Sequence, residues 1–414
     1  MNIAIITSEF LTERNFDGGL ANYNYKLAKS LILLGHSPYI FVSSNQDEEL
    51  FYEDIPVYRV DVTKYDDFLF RSKLFCKPYT KLKRYLKAKT GIIMKYELKY
   101  QSRLLNRKCM EINSKVKFDI THYSSLGAVG FYRSATIPAV SRISGSTIGC
   151  HEFGGYGEFD PAVKSQEKLE FRALKRMDGI FGPSKMIADI ITKEIKREIT
   201  IIETPFLFPK DELDEKLVLE NLKGKKYLLF FGSIGLIKGC ATIAEIIGDF
   251  FQSYPDYYFV FVGKVLGGPD PEMNMLDHLR KKAGKHAGRI IHFGKTPHLQ
   301  LFPVIQNSSF VVLPSRIDNF PNTCIEAMGL GKIVIGTRGN GFEQMITDKE
   351  NGFLIEVDNS KQLRETLDVV MHIQGEEKKQ MEQKAKERIE LLKPEIIANQ
   401  LIGFYSGIIK NFRK

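Results

Sequence analysis

Short apolar runs alternate with longer amphipathic stretches along the whole of this 414-residue chain. The runs are bounded by Gly, Pro, Ser or Asp, as is typical of strands that are buried on both faces of a sheet. The stretches between them repeat apolar residues at helical spacing. This rhythm predicts an α/β fold with parallel sheets.

The rhythm runs once through each half of the chain. In the first half it predicts strands at 2–7, 38–44, 57–60, 118–123, 138–144, 179–182 and 200–204, and helices at 19–34, 80–113, 161–176 and 185–195. In the second half it predicts strands at 226–233, 257–263, 289–294, 309–315, 332–337 and 352–357, and helices from 239, near 272–286 and from 322. Two Rossmann-like domains facing each other across a cleft are therefore expected, with ligand at the carboxyl ends of the strands.

The predicted domain boundary lies in residues 206–226, where Pro209, shortly after Pro205, precedes a charged stretch. The last residues, 394–414, begin with Pro and carry apolar side chains at helical spacing, so they predict a terminal helix that docks elsewhere. We expect an N-terminal domain of residues 1–205 completed by the helix at 395–414, and a C-terminal domain of residues 206–394.

The composition indicates a globular protein of the cytoplasm. Hydrophobic residues make up 43% of the chain and charged residues 26%, and no segment approaches the ~18 apolar residues of a membrane span. The opening MNIAIITSEF is interpreted as a buried strand because it lacks the features of a signal peptide. The five cysteines are scattered without metal-ligand spacing, which favours reduced thiols.

Positive charge is concentrated in one segment, residues 71–108. It holds thirteen Lys or Arg and one acid, Glu97, so its net charge is +12, whereas the chain as a whole carries +9. This distribution argues against general binding to nucleic acid and favours one local anionic partner. An anionic membrane surface is one such partner, and a solvated helical face is the alternative.

The stretch PSRIDNFPNTCIEAM, residues 314–328, contains the clearest candidate chemistry. A strand is followed by a loop and then by a helix near Asn322 and Thr323, whose free N–H groups favour phosphate. Asp318 before the helix and Glu326 inside it are acceptors for hydroxyl groups. Phosphate and hydroxyl recognition together indicate a sugar nucleotide, and an ordinary capped helix is the alternative.

Two glycine-bearing loops strengthen this interpretation. FFGSIGLIKG, residues 230–239, leads from a strand to a helix and places Lys238 where a diphosphate partner is needed. Gly18 and Gly19 precede the first helix and allow the backbone to approach a ligand closely. Each loop alone is also compatible with a plain turn.

Taken in order along the chain, these pieces resemble the family 4 glycosyltransferases, retaining enzymes of the two-domain GT-B fold. The resemblance also includes LLGHSPYIFV, KRMDGIFGPSKMIADII and TRGNGFEQMITDKENGFLI. It implies that Glu326 binds the donor ribose, that Asp318 lies on the sugar side and that Lys238 binds the diphosphate. It also implies donor contacts from the glycine loop and from the start of the helix, at Gly18, Gly19, Phe320, Pro321, Asn322 and Thr323.

Three positions depart from the family pattern. Asp318 replaces the usual Glu, Ser233 stands where an Arg often accompanies the lysine, and Ser144 stands where many members have a His. Arg142 and His151 are candidates to compensate for that histidine, and Glu343 matches a family Glu near the sugar. His122 and His292 end strands, where they either line the cleft or are satisfied structurally.

The resemblance implies transfer of a sugar from a UDP- or GDP-linked donor to a glycan or lipid-linked acceptor, as in bacterial surface-polysaccharide synthesis. We expect neither a cofactor nor a metal site, because no Asp-x-Asp pair, metal-ligand cluster or dinucleotide fingerprint occurs. Two alternatives remain open. One is a catalytically weakened sugar-nucleotide-binding partner protein, and the other is an epimerase or phosphorylase-like enzyme on the same fold.

Overall fold

The computed structural model describes residues 1–13, 19–63, 91–144, 161–208 and 212–413, with only the backbone of Ile92. The described residues form two compact units. The first unit contains residues up to 205 together with residues from 393 onward, and the second contains residues 206–392. Each unit is built around its own sheet.

The first unit has a mainly parallel sheet in the order β3-β4-β2-β1-β5-β6-β7-β8. Its strands are β1 (Asn2–Thr7), β2 (Ser37–Ser44), β3 (Glu48–Tyr52), β4 (Ile55–Asp61), β5 (Ile120–Ser124), β6 (Ala139–Arg142), β7 (Gly179–Gly182) and β8 (Thr200–Ile201). Its helices are α1 (Gly19–Leu33), α2 (Ile92–Val116), α3 (Pro161–Leu174) and α4 (Lys185–Ile195). Only the β3–β4 pair is antiparallel among the described strands of this sheet.

The second unit has a parallel sheet in the order β11-β10-β9-β12-β13-β14. Its strands are β9 (Lys226–Phe231), β10 (Tyr257–Val262), β11 (Ile290–Phe293), β12 (Phe310–Val312), β13 (Val334–Thr337) and β14 (Gly352–Ile355). Its helices are α5 (Cys240–Ser253), α6 (Met275–Ala283), α7 (His298–Asn307), α8 (Asn322–Gly329), α9 (Ser360–His372) and α10 (Gly375–Glu390). The aromatic side chains of Phe230, Phe250, Phe259 and Phe261 are buried between sheet and helices.

The last helix, α11 (Pro394–Phe412), belongs to the first unit. Pro394 begins it, where the missing N–H is not needed for a helical hydrogen bond. Tyr405 is fully buried, and the helix lies so close to β7 that a Cβ added at Gly179 would be 2.7 Å from Ile408. The terminal apolar stretch therefore packs against the first sheet.

The structure differs from the sequence prediction mainly in elements that the apolar rhythm did not mark. No element was predicted for β3, α7, α9 or α10. Several strands are shorter than predicted, among them β8, which ends at Ile201, and β12, which ends at Val312. In the predicted linker, Val218–Leu222 form a π-helical turn. The predicted helix at 80–113 appears as α2, and residues 80–90 lie outside the described part.

Within the described residues, no helix combines the length and the apolar character needed to cross a membrane. Cys109, Cys240 and Cys324 are free and buried. Burial raises the pKa of Cys109 to about 12, so this thiol stays protonated. Cys76 and Cys150 lie outside the described residues.

Candidate functional site

Two distant loops of the second unit meet at Lys238 and Asp318. Lys238 lies in the loop that joins β9 to α5, and Asp318 lies between β12 and α8. The Nζ of Lys238 donates to Oδ2 of Asp318 at 2.5 Å. Both side chains are only partly exposed, 32% for the lysine and 15% for the aspartate, so the pair is held at the carboxyl edge of the sheet.

Backbone contacts fix the lysine loop in this position. The N–H of Arg316 donates to the carbonyl of Ile237 at 2.8 Å. Gly239 has a φ of 71°, and a Cβ there would lie 1.7 Å from the carbonyl oxygen of Pro314. Because only glycine tolerates both conditions, the sequence Lys-Gly places the amine while allowing the two loops to touch.

The helix α8 begins beside Asp318 without a side-chain cap. Among the described residues, the backbone N–H groups of Asn322 and Thr323 have no protein acceptor. The Oδ1 of Asn322 is also buried without a hydrogen-bond partner. These groups, with the positive end of a helix, form an environment that favours an anionic and hydroxylated ligand.

Glu326 lies one turn inside α8 and is buried. Its Oε1 is 3.3 Å from Nε2 of His298, the first residue of α7. His298 is half-exposed, and its ring packs edge-on against Phe302 at 5.7 Å between centroids. His298 was not predicted as a site residue, because a single histidine in a loop-to-helix step carries no pattern. Pro297 immediately before it was the available signal for a helix start.

The loop after β13 packs on the aspartate loop. The N–H of Gly341 donates to the carbonyl of Asp318 at 2.8 Å, and a Cβ on Gly341 would lie 2.0 Å from the carbonyl oxygen of Asn319. Asn340 caps a short 3₁₀ turn, Gly341–Gln344, which contains Glu343. The Asn340 side chain accepts a hydrogen bond from the N–H of Phe342. The predicted residue Glu343 thus follows two residues after the contact of Gly341 with Asp318, and its side chain is exposed.

The remaining candidates of the second unit line the same edge. Ser233 is exposed at the start of the lysine loop, and Phe320 and Pro321 are buried ahead of α8. Burial, reinforced by the charge of Asp318, raises the pKa of the Cys324 thiol well above its usual value. Cys324 is therefore protonated, and it is not a candidate nucleophile.

The other predicted site residues, apart from His292, belong to the first unit. Gly19 begins α1, and Arg142 ends β6 with Ser144 two residues on. His122 receives or donates a 2.5 Å hydrogen bond at Nδ1 with the hydroxyl of Tyr405, and His292 in the second unit bonds the carbonyl of Gly263. Both histidines thus have structural partners. Gly18 and His151 lie outside the described residues.

This chain is similar to known proteins in its sequence and in its structure. The sequence profile of the glycosyl transferases group 1 family matches residues 211–388, which include the lysine loop and α8. The lipopolysaccharide core biosynthesis mannosyltransferase LpsB of Rhizobium meliloti is 25% identical over 193 residues, 45% of this chain and 54% of that protein. The chain spans about half the length of the curated relatives that it matches.

Solved structures resemble the whole chain. Sucrose-phosphate synthase from Thermosynechococcus elongatus has a TM-score of 0.74 at 16% identity and covers 99% of both chains. The Anabaena protein HepE in complex with UDP-glucose has a TM-score of 0.67 at 13% identity, covering 98% of this chain and 100% of that one. These similarities confirm the predicted fold class, an α/β protein with two Rossmann-like domains of the GT-B type.

Proposed function

We propose that the protein is a retaining glycosyltransferase of the family 4 type, a proposal supported by the match of residues 211–388 to the glycosyl transferases group 1 family. It moves a hexosyl group from a UDP- or GDP-linked donor to a glycan or lipid-linked acceptor. The contact between Lys238 and Asp318 beside the start of α8 carries this proposal.

Each part of the donor has a matching group at the edge of the second sheet. The diphosphate takes the Nζ of Lys238 and the N–H groups of Asn322 and Thr323. The ribose hydroxyls donate to the buried carboxylate of Glu326, which His298 holds from the other side. The sugar hydroxyls take Asp318 as acceptor, and this side chain stays within reach of the same amine.

The main catalytic contribution is stabilisation of the leaving diphosphate. Negative charge grows on its oxygen as the glycosidic bond breaks, and Lys238 with the helix amides is aimed at that charge. The leaving phosphate then accepts the proton of the acceptor hydroxyl on the same face of the sugar, which retains the anomeric configuration. In the described residues no group of His, Cys, Asp or Glu is arranged to hold a metal ion, and we assign charge neutralisation to the protein.

The acceptor belongs to the first unit in this proposal, and the helix α2 supports an anionic surface as its location. Lys95, Lys99, Arg103 and Arg107 recur at every fourth residue, and in the described structure none of them is paired with a carboxylate. Lys99 and Arg103 lie over the rings of Phe131 and Tyr132. The similarity to a lipopolysaccharide mannosyltransferase supports a role in surface-polysaccharide synthesis.

A nucleotide panel followed by a transfer assay tests the proposal. Thermal unfolding with UDP, GDP, ADP and CMP should show stabilisation by UDP or GDP at micromolar to millimolar concentrations. The protein with the matching labelled sugar nucleotide and a bacterial lipid extract should then yield a glycosylated product. Binding without product in any extract would favour the non-catalytic partner protein, and no stabilisation by any nucleotide would overturn the assignment.

A further inference from the structure

A buried cation lies at the carboxyl edge of the first sheet, and no described residue supplies a counter-ion for it. Arg142 is the last residue of β6 and is only 6% exposed. Its Nη2 donates to the hydroxyl of Thr204 at 3.0 Å, and its Nη1 to the hydroxyl of Ser144 at 3.3 Å. Within the part of the chain that the structure describes, no carboxylate is paired with it.

The described side chains that contact Arg142 are neutral. Its guanidinium stacks 3.6 Å from the ring centroid of Tyr23, whose pKa burial raises to about 12. Burial, helped by the arginine's own charge, lowers the pKa of His122 to about 3. A buried arginine surrounded by neutral groups is costly, because its desolvation is not offset by an opposite charge.

Two polar atoms at this edge are left without a partner. The Nε of Arg142 and the Oγ of Ser124 are both buried and make no hydrogen bond. Ser124 ends β5 and is the register partner of Arg142 on β6, so the two side chains project from the same face of the sheet. An N–H donor and a hydroxyl at neighbouring register positions are thus both without a partner, and no described carboxylate is paired with the guanidinium.

We propose that Arg142 and Ser124 form a subsite for an oxyanion on the acceptor, either a carboxylate or a phosphate monoester. The guanidinium supplies the charge and the Nε–H bond, and the serine hydroxyl donates a second bond to the same anionic group. This inference rests on the proposed function, and it narrows the acceptor to an acidic sugar or a sugar phosphate. Neutral glycans would leave both donors unsatisfied and the cation unpaired.

Calorimetry with four small probes tests the subsite in the full-length protein. We expect glucuronate or glucose 6-phosphate to bind at least about tenfold more tightly than glucose, with inorganic phosphate following the phosphate ester. Preference for glucuronate identifies a carboxylate as the anion, and preference for glucose 6-phosphate identifies a phosphate. Equal, weak binding of the two anions and glucose to the wild type would overturn the proposal.

Two variants separate the subsite from the fold and from the donor site. Arg142→Gln should weaken the preferred anion about tenfold or more, and Ser124→Ala should weaken it by a smaller factor. Ser124→Ala should leave the unfolding temperature unchanged or higher, because it removes a buried hydroxyl that has no partner. Unchanged anion affinity in Ser124→Ala and in folded Arg142→Gln would refute the subsite.

The donor nucleotide supplies the remaining control. Its affinity should be the same in wild type, Arg142→Gln and Ser124→Ala, since neither variant changes Lys238, the start of α8 or the glycine loop at Gly18 and Gly19. Lys238→Ala should leave anion binding at the subsite unaltered. Anion binding that depends on Arg142, in a protein that binds no nucleotide, would retain the subsite and reject the glycosyltransferase proposal.

Discussion

Lys238 and Asp318 form an ion pair at 2.5 Å. This pair gives a structural role to the aspartate that stands at position 318 in place of the Glu expected from the family resemblance. An ammonium has three donors, so Lys238 is able to hold Asp318 and a diphosphate oxygen together. The shorter carboxylate at position 318 still reaches the amine, because the loops are joined through Arg316 and Ile237. Asp318 is therefore one of the two side chains whose contact defines the site.

Replacing Lys238 by Ala should reduce turnover more than donor affinity. The charge on the leaving phosphate increases towards the transition state, so the amine matters most there. We expect kcat to fall by about 10²–10³ and donor affinity by about tenfold or less. Steady-state kinetics with calorimetry measure both, and Lys238→Arg is the charge-conserving control. Equal losses in kcat and affinity would place Lys238 in ground-state binding alone.

Glu326→Ala should abolish most of the donor affinity while the fold is kept. The ribose hydroxyls lose a charged acceptor, a cost of about 1.5–3 kcal/mol. Titration calorimetry with the nucleotide identified in the panel measures the effect. Glu377→Ala is the matched control, because its carboxylate is exposed on α10 and has no proposed role in donor binding. If Glu326→Ala binds the nucleotide as well as wild type does, the ribose role is wrong.

His122 predicts a specific acid sensitivity of the first unit. Burial lowers its pKa to about 3, below the usual 6.5, so the unfolded chain takes up the proton first as the pH falls. Its contribution to the free energy of unfolding is full above pH 6.5 and is lost as pH falls towards 3. At pH 5 the loss is about 2 kcal/mol.

Urea unfolding of wild type and His122→Gln at pH 7 and pH 5 measures this contribution. The variant should lose less stability between the two pH values than wild type does. His372→Gln, which changes an exposed histidine, should behave as wild type. An identical pH dependence in His122→Gln would show that His122 does not carry the effect.

Two loops that touch at Gly239 bring together the elements that carry Lys238 and Asp318. Gly239 has a φ of 71° and no room for a Cβ beside Pro314, whereas Gly224 has a φ of 74° and nothing within 4 Å of its added Cβ. An Ala at Gly224 therefore introduces backbone strain alone, whereas an Ala at Gly239 introduces strain together with a steric clash. Both positions lie in the second unit. Gly224→Ala should cost roughly 1 kcal/mol through strain alone.

Gly239→Ala should destabilise the second unit by clearly more than Gly224→Ala, and it should also weaken donor binding. The new methyl group forces apart the loops that carry Lys238 and Asp318, so the amine moves away from its site. Thermal unfolding and nucleotide titration of the two variants give the comparison. Equal stability and unaltered nucleotide affinity in both variants would mean that the contact with Pro314 does not position Lys238.

Apolar periodicity identified most strands because a parallel sheet buries both faces of each strand. It missed β3, whose sequence EELFY is polar at its start and which pairs only at the sheet edge. It missed α7, which contains Pro303 and opens at Pro297. In the site, the motifs grouped Lys238, Asp318 and Glu326, but His298 depends on a tertiary contact that no local pattern records.

Across the whole molecule, positive charge is concentrated in one segment of the sequence, and the architecture of the two sheets does not require this. Residues 71–108 carry a net +12, and their described part, in α2, presents cations at every fourth residue. Lys108 is already paired with Glu49 and Glu111, so it adds little to an external field. The cations of α2 that have no carboxylate partner among the described residues, together with the positive charges in the sequence of residues 71–90, are the candidates for binding an anionic partner.

Binding of the protein to anionic vesicles should therefore be reversible and sensitive to salt. Each engaged Lys or Arg contributes roughly 1 kcal/mol near such a surface, so four or five suffice for reversible attachment. Co-sedimentation should require anionic phospholipid alongside phosphatidylcholine and should decline between 50 and 500 mM salt, about the range over which screening becomes strong.

Changing Lys81, Lys83, Arg84 and Lys87 together to Glu should reduce binding about tenfold or more. The same charge change at four exposed lysines of the second unit, Lys281, Lys285, Lys361 and Lys379, should have little effect. Attachment that ignores salt, or equal losses in the two quadruple variants, would reject a specific membrane contact and leave residues 71–108 as a solvated surface.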